Sequence, residues 1–207
     1  MVVKAFIFDL GRVIVDLDFT RFIDEIISNS QLYNSNAMDL LNKFWNETSI
    51  YDLGNITEED FYILSCDFLK IKYISREVFI DAFNSVIGKT NLKLVELIRK
   101  LKKIGRYKLV ALSNVNPTHW EYGRKNLWNF LHLFDELLLS FKLHMIKPDL
   151  ELFKHAIKEC SCNPEEIVYI DDKIENIQAA RNLGIQGIHY LGLEHLVNVL
   201  KTLKIDI

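Results

Sequence analysis

Four short groups of residues carry side chains that can do chemistry together: Asp9, the pair Ser113-Asn114, Lys147, and the pair Asp171-Asp172. Three carboxylates with no histidine or cysteine beside them suit a hard cation such as Mg²⁺, which takes oxygen ligands and keeps waters. A lysine near neutral donors suits a phosphate, because a compact ammonium with hydroxyl and amide hydrogens can hold its oxygens. Taken singly, each group has a plainer use. Asp9 can cap a turn, Ser113-Asn114 can form one, Lys147 before Pro148 can be a solvated lysine, and Asp171-Asp172 can answer a helix dipole. What decides between these readings is where the groups fall on the elements that carry them.

Val2 to Phe8 is a short apolar run rich in Val, Ile and Phe, closed by Asp9 and Gly11, and it reads as a buried strand. Apolar character on both faces places it at the centre of a parallel sheet, with Asp9 at the carboxyl-end rim where ligands bind in open α/β sheets. From Asn91 onward helix and strand alternate, as in βαβ units. Leu109 to Leu112 is a strand ending in Ser113-Asn114, Glu136 to Ser140 is a third, Ile167 to Ile170 ends in Asp171-Asp172, and Gly187 to Tyr190 is the last. The helices between them run from Leu92 to Ile104, stopped by Gly105, from Asp149 through Phe153 and Ala156, and from Ile174 to Leu183 before Gly184. Parallel strands gather their polar ends on one rim, so the four groups form one composite site.

Between the first strand and this series the pattern changes. Arg12 to Asp18 alternates too briefly for a core strand and reads as a small hairpin or flap. Phe19 to about Ser85 reads as four short helices, with Phe22, Ile23, Ile26 and Ile27 at helix spacing, Thr57 and Asp60 as an acidic capping box, and Ser75 as a further cap. The expected organisation is an α/β, Rossmann-like three-layer core with a parallel sheet, residues 1–18 and 86–207, and a small helical cap, 19–85, inserted after the first strand.

At 207 residues, 49% hydrophobic and 26% charged, the chain has length for one substantial core and an insertion. A net charge of −3 provides no long-range field for nucleic acid or anionic membranes, so neither is an expected partner. Cys160 and Cys162 have no second cluster, which points away from a zinc site or disulfide framework and toward reduced thiols. Together with Lys4 inside the first apolar run and no membrane-length apolar segment, this places the protein in the cytoplasm as an expectation.

The order Phe8-Asp9-Leu10-Gly11, Leu112-Ser113-Asn114, Lys147-Pro148 and Ile170-Asp171-Asp172 resembles the four motifs of the haloacid dehalogenase superfamily. The longer strings, Val13 to Phe19 and Ser113-Asn114 followed by Asn116, look like the subgroup of bacterial α-D-glucose-1-phosphate phosphatases. The resemblance spans nearly the whole chain, including Asn176, Ala179-Ala180-Arg181 and Leu183-Gly184. It implies that Asp9 attacks phosphorus to give an aspartyl-phosphate, splitting one hard displacement into two. It further implies Mg²⁺ held by the Asp9 carboxylate, the Gly11 carbonyl and Asp172, with Asp171 a direct or water-mediated partner. Ser113, Asn114 and Lys147 would hold the phosphoryl oxygens, and Lys147 would also stabilise Asp9. The substrate class implied is a small phosphorylated metabolite, a sugar phosphate above others.

One position departs from the common pattern. Most phosphatases of this superfamily place a second Asp two residues after the first, as a proton donor to the leaving oxygen, and here that residue is Gly11. General acid catalysis is worth about 10²–10⁴-fold; Asp16 and Asp18 are candidate substitutes. Two rivals stand beside the phosphatase: a 2-haloacid dehalogenase using Asp9 without metal, and a catalytically weak phosphate-binding protein. Trp45, Tyr51 and Glu58 are candidates to face the site from the cap, since caps close over substrate and exclude water. His119 and Trp120 read as core, and Arg12 as solvated.

Overall fold

A computed structural model describes residues 2–205. In chain order the elements are β1 (Ala5–Phe8), β2 (Val15–Leu17), α1 (Thr20–Glu25), α2 (Ala37–Glu47), α3 (Ser49–Asp52), α4 (Glu58–Leu69), α5 (Arg76–Asn84) and β3 (Ile87–Thr90). They continue with α6 (Leu92–Ile104), β4 (Lys108–Ser113), α7 (Pro117–Asn126), β5 (Glu136–Leu139), α8 (Ser140–Leu143), α9 (Leu150–Cys160), β6 (Ile167–Asp171), α10 (Ile174–Asn182), β7 (Gln186–His189) and α11 (Leu193–Thr202).

The main sheet has the order β5-β4-β1-β6-β7, and every pairing in it is parallel. β1 lies at its centre because its side chains are apolar on both faces, and alternation divides them cleanly. Phe6, Phe8, Leu109, Ala111, Val168 and Ile170 enter one core, with Leu94 and Ile98 of α6 and Leu196 and Leu200 of α11. Ala5, Ile7, Val110, Leu112, Ile167 and Tyr169 enter the other, with Leu152, Phe153 and Ala156 of α9 and Ile177 and Ala180 of α10. This is the Rossmann-like three-layer arrangement: helices on both faces of a parallel sheet. β4 and β6 flank β1 on opposite sides, so the loops leaving their carboxyl ends diverge above β1 and leave a crevice there.

Local signals place the ends as the residues dictate. The Thr57 hydroxyl accepts the Asp60 N–H while Asp60 reaches back to the Thr57 N–H, the reciprocal box at the start of α4. Gly105 ends α6 at φ +76°, where a side chain would be strained. Two features differ from the sequence reading. The 12–18 segment makes a tight turn in which Arg12 meets Val15, and its strand β2 pairs outside the segment, antiparallel to β3 some seventy residues on, in a separate two-stranded sheet. α11 was not anticipated; its Leu196 and Leu200 complete one face of the sheet.

The helices between β2 and β3 enclose an apolar cluster of their own, built on Phe22, Leu41, Phe44, Phe61, Phe79 and Phe83. Five α-helices and a short 3-10 turn make this layer among the described residues, rather than four helices. It meets the rest of the chain through α5 against α7 and α3 against α8. None of the described helices is long and apolar enough to cross a membrane.

Candidate active site

β1 delivers Asp9 to the carboxyl-end rim, with the Asp9 N–H bonded to the Ile170 carbonyl of β6 at 2.9 Å. A tight turn follows. The Ile14 and Val15 N–H groups both bond the Leu10 carbonyl and the Arg12 N–H bonds that of Val15, so the turn's own bonds do not use the Gly11 carbonyl. A Cβ on Gly11 would meet only Leu17 Cδ1, at 3.7 Å, so neither space nor backbone demands glycine there.

Lys147 joins the groups. Its ammonium stands 2.8 Å from Asp9 Oδ1 and 2.8 Å from Asp171 Oδ2, and donates to the Leu112 carbonyl at 3.1 Å. Three donors meet three acceptors, in a side chain that is 2% exposed. Asn114 sets this up: its Oδ1 accepts the Lys147 N–H at 2.8 Å and its Nδ2 donates to the Lys147 carbonyl at 3.0 Å. The Asn114 side chain is thus engaged by the lysine backbone at both ends, which qualifies its expected role as a phosphate donor. Its backbone N–H and second amide hydrogen are what it still offers. Ser113, 3% exposed, ends β4, and its hydroxyl has no partner among the described residues.

Asp171 is fully buried and saturated. Oδ2 takes Lys147, the Tyr169 hydroxyl and Asn176 Nδ2, and Oδ1 takes the Lys173 N–H at 2.8 Å and Asn176 Nδ2 at 3.0 Å. Tyr169 was missed in the sequence, although residues two apart on a strand share a face and the signal was there. Asp172 is half-buried and free of such bonds. One oxygen from each of Asp9, Asp171 and Asp172 lies within 4.8 Å of the others.

Three acids around one ammonium leave excess negative charge, and the proton equilibria register it. Burial, then Asp171 and Asp172, push the Asp9 carboxyl up to about 6 against the pull of Lys147. Burial and Asp171 likewise raise Asp172, opposed by Lys173, Arg12 and Lys147. Burial also disfavours charge on Asp171, but Lys147, Tyr169 and the Lys173 N–H hold its carboxyl below the usual range. Three carboxylates, Asp9, Asp171 and Asp172, short of positive charge are a donor set that suits a hard divalent cation, and Asp171 among them is turned to Lys147.

The other candidates fall elsewhere. Asp18 is exposed, accepts the Thr20 N–H at 2.9 Å and titrates below its ordinary value, which unsuits it as a proton donor. Asp16 is exposed and outside the carboxylate cluster. Trp45 packs on Phe22 and Phe83, and the Tyr51 hydroxyl and Glu58 Oε2 both meet Thr118 Oγ1 in the seam with α7. His119 is buried, stacked 3.9 Å from the Phe83 ring and bonded through Nε2 to the Phe83 carbonyl. Trp120 is core, 5% exposed. Arg12 is exposed, 5.8 Å from the Phe19 ring centre, and its charge reaches Asp172. Burial pushes the Cys160 thiol up to about 12, so it is inert.

A family model described as haloacid dehalogenase-like hydrolase matches residues 3–184, a span that holds all four groups. The chain belongs to this family. Among relatives of this hydrolase, it is 28% identical over 195 residues to D-ribitol-5-phosphate phosphatase of Bacteroides thetaiotaomicron, covering 89% of this chain and 90% of that one. It is 26% identical over 188 residues to sesquiterpene phosphatase astK of Aspergillus oryzae, covering 90% and 89%. It is also 28% identical over 193 residues to drimenol cyclase drtB of Aspergillus calidoustus, where 90% of this chain spans only 34% of the relative. The hydrolase superposes with a TM-score of 0.78 at 26% identity on a solved HAD family enzyme of Bacteroides thetaiotaomicron in complex with magnesium and inorganic phosphate, covering 94% of this chain and 98% of that one.

Proposed function

We propose that this hydrolase is a Mg²⁺-dependent phosphomonoesterase acting on a small phosphorylated metabolite of the sugar phosphate class, with Asp9 as nucleophile. The observation that carries the reading is the Lys147 ammonium held 2.8 Å from both Asp9 and Asp171 at the crevice above β1, beside the unclaimed Ser113 hydroxyl. That arrangement keeps a carboxylate ionised next to an incoming anion. The family, the phosphatase relatives and the magnesium and phosphate complex of a similar enzyme support it.

In this mechanism Asp9 attacks phosphorus as the ester P–O bond breaks, the leaving oxygen taking its proton from solvent water, and a second water then cleaves the aspartyl-phosphate to give inorganic phosphate and return the carboxylate. Lys147 opposes the charge of Asp9 and of the transferring group. The Ser113 hydroxyl and the Asn114 N–H donate to phosphoryl oxygens. Asp171, fixed by Tyr169 and Asn176, positions Lys147. Mg²⁺, held by Asp9, Asp172 and the Gly11 carbonyl, would supply charge neutralisation of the phosphate. Residues 19–85 act as the cap, with 1–18 and 86–207 as the catalytic core. A metal-independent dehalogenase would have no use for the excess charge of Asp171-Asp172, which favours the phosphatase over that rival.

The test is phosphate release from a panel of sugar phosphates, nucleotides and acyl phosphates, with Mg²⁺ or chelator, for wild type and Asp9→Asn. Release that needs both Mg²⁺ and Asp9 is the expected result. No release under any condition sinks the reading, and halide release from 2-haloacids is then the next assay.

A further inference from the structure

The loop that closes α3 is fastened to the rim of the sheet. The Asp52 carbonyl accepts from Ser140 Oγ at 2.6 Å, and the Leu53 carbonyl is 2.8 Å from His144 Nδ1. Gly54, at φ +69°, lies so close to the Phe141 carbonyl that a Cβ would come within 2.2 Å of it. The loop is therefore held in register, and it aims one carboxylate. Asp52 Oδ1 is 3.2 Å from Asn116 Nδ2, and Asn116 is itself fixed as the cap of α7, its Oδ1 accepting the His119 N–H at 2.9 Å.

Asn116 belongs to the loop after β4. Burial pushes the Asp52 carboxyl up to about 6, against the Asn116 hydrogen bond and the charge of Lys173 in the loop after β6. Ser140 follows β5 and Asn116 follows β4, so these contacts place Asp52 at the carboxyl-end rim of the sheet, the edge that carries Asp9 at the end of β1. Asp52 is half-buried, and among the described residues its Oδ2 has no hydrogen-bond partner. A partly desolvated carboxylate oxygen with no donor, at the rim that carries Asp9, is built to receive one.

We propose that Asp52, oriented by Asn116, is a specificity-determining residue that accepts a hydrogen bond from a hydroxyl of the leaving group. The inference rests on the phosphatase reading and refines its substrate class. A polyol or sugar phosphate brings a hydroxyl to Oδ2 and keeps it paired. An alkyl or prenyl chain strips its water and returns nothing, so apolar phosphates are rejected rather than merely bound less well.

The experiment compares wild type, Asp52→Ala and Asp52→Asn on two primary phosphates of equal length, a pentitol 5-phosphate and n-pentyl phosphate, with Mg²⁺. Asp52→Ala is expected to lose about 10- to 100-fold in kcat/KM on the pentitol phosphate and to gain on pentyl phosphate, so that the preference collapses. Asp52→Asn keeps the size of the side chain and guards against misfolding; thermal melts report whether each variant is folded, and the Asn variant should lose about 10-fold on the hydroxylated substrate alone. Equal losses on both substrates would assign Asp52 to proton transfer or to seating the loop, and no loss would leave it idle; either overturns the proposal while the phosphatase stands. A wild type that releases phosphate from neither substrate nor from the wider panel removes the phosphatase reading and this proposal with it.

Discussion

Lys147 carries the electrostatic balance of the site, because among the described residues it is the one cation bonded to two of three neighbouring acids. Replacing it by Met keeps the length of the stem and removes the charge. Asp9 and Asp171 then face each other in a buried site with no counter-charge, a loss of about 3–5 kcal/mol for breaking a buried pair. The sign with pH follows from the acids. Without Lys147 the Asp9 value, already raised to about 6, climbs further and that of Asp171 rises as well, the native state binds more protons, and stability of Lys147→Met should fall more steeply than that of the wild type as pH rises through and above 6. Urea unfolding at pH 5.5 and 8 would show it, and a variant equally stable at both would contradict this account. Turnover should drop by about 10²–10³-fold at neutral pH, as for loss of one donor to a transition-state anion. The residue types at Asp9, Lys147, Asp171 and Asp172 were legible from their order alone. The double engagement of Asn114 by the Lys147 backbone was not, because it joins residues 33 positions apart.

Among the elements, α7 decides how the inserted helices sit on the sheet. It opens with Asn116 as cap and Pro117 in its first turn, and it buries His119 against Phe83 of α5. Nε2 faces the Phe83 carbonyl and Nδ1 faces Asn116 Nδ2, which requires the proton on Nε2 and a neutral ring. Burial holds this imidazole down to about 4 from an ordinary 6.5. A depressed value means that stability is intact above pH 6.5 and is lost as pH falls toward 4, by about 2 kcal/mol between pH 7 and pH 5. His119→Gln, which can keep an amide donor toward Phe83, should flatten that slope, as denaturant titrations at the two pH values would reveal. The same acid limb in both proteins would assign it to the carboxylates instead. The role of α7 as the seam depends on a contact between residues 36 positions apart, which local pattern does not record.

For the whole molecule, the proposed Mg²⁺ site would make metal binding part of folding. A cation that binds only the native state adds about 2.7 kcal/mol at a hundred times its Kd. Mg²⁺ should therefore raise the melting temperature, chelator should reverse the gain, and Asp172→Asn should abolish most of it while Asp18→Asn leaves it unchanged. The gain should shrink below pH 6, where protons compete for Asp9. Equal melting of wild type with Mg²⁺ and with chelator would remove the metal from this site. By itself the sequence determined the parallel α/β core and the groups at its strand ends, because strand polarity, helix caps and the two-residue alternation are local properties of neighbouring residues. It equally determined that those groups meet, since parallel strands put their carboxyl ends on one edge. Only the tertiary structure decided that β2 finds its partner in β3, that Asp171 serves Lys147, and that Asp52 is carried to the rim by a loop lying on α8. Each of those is a pairing between distant segments, specified by shape and by unsatisfied hydrogen bonds, which no local periodicity records.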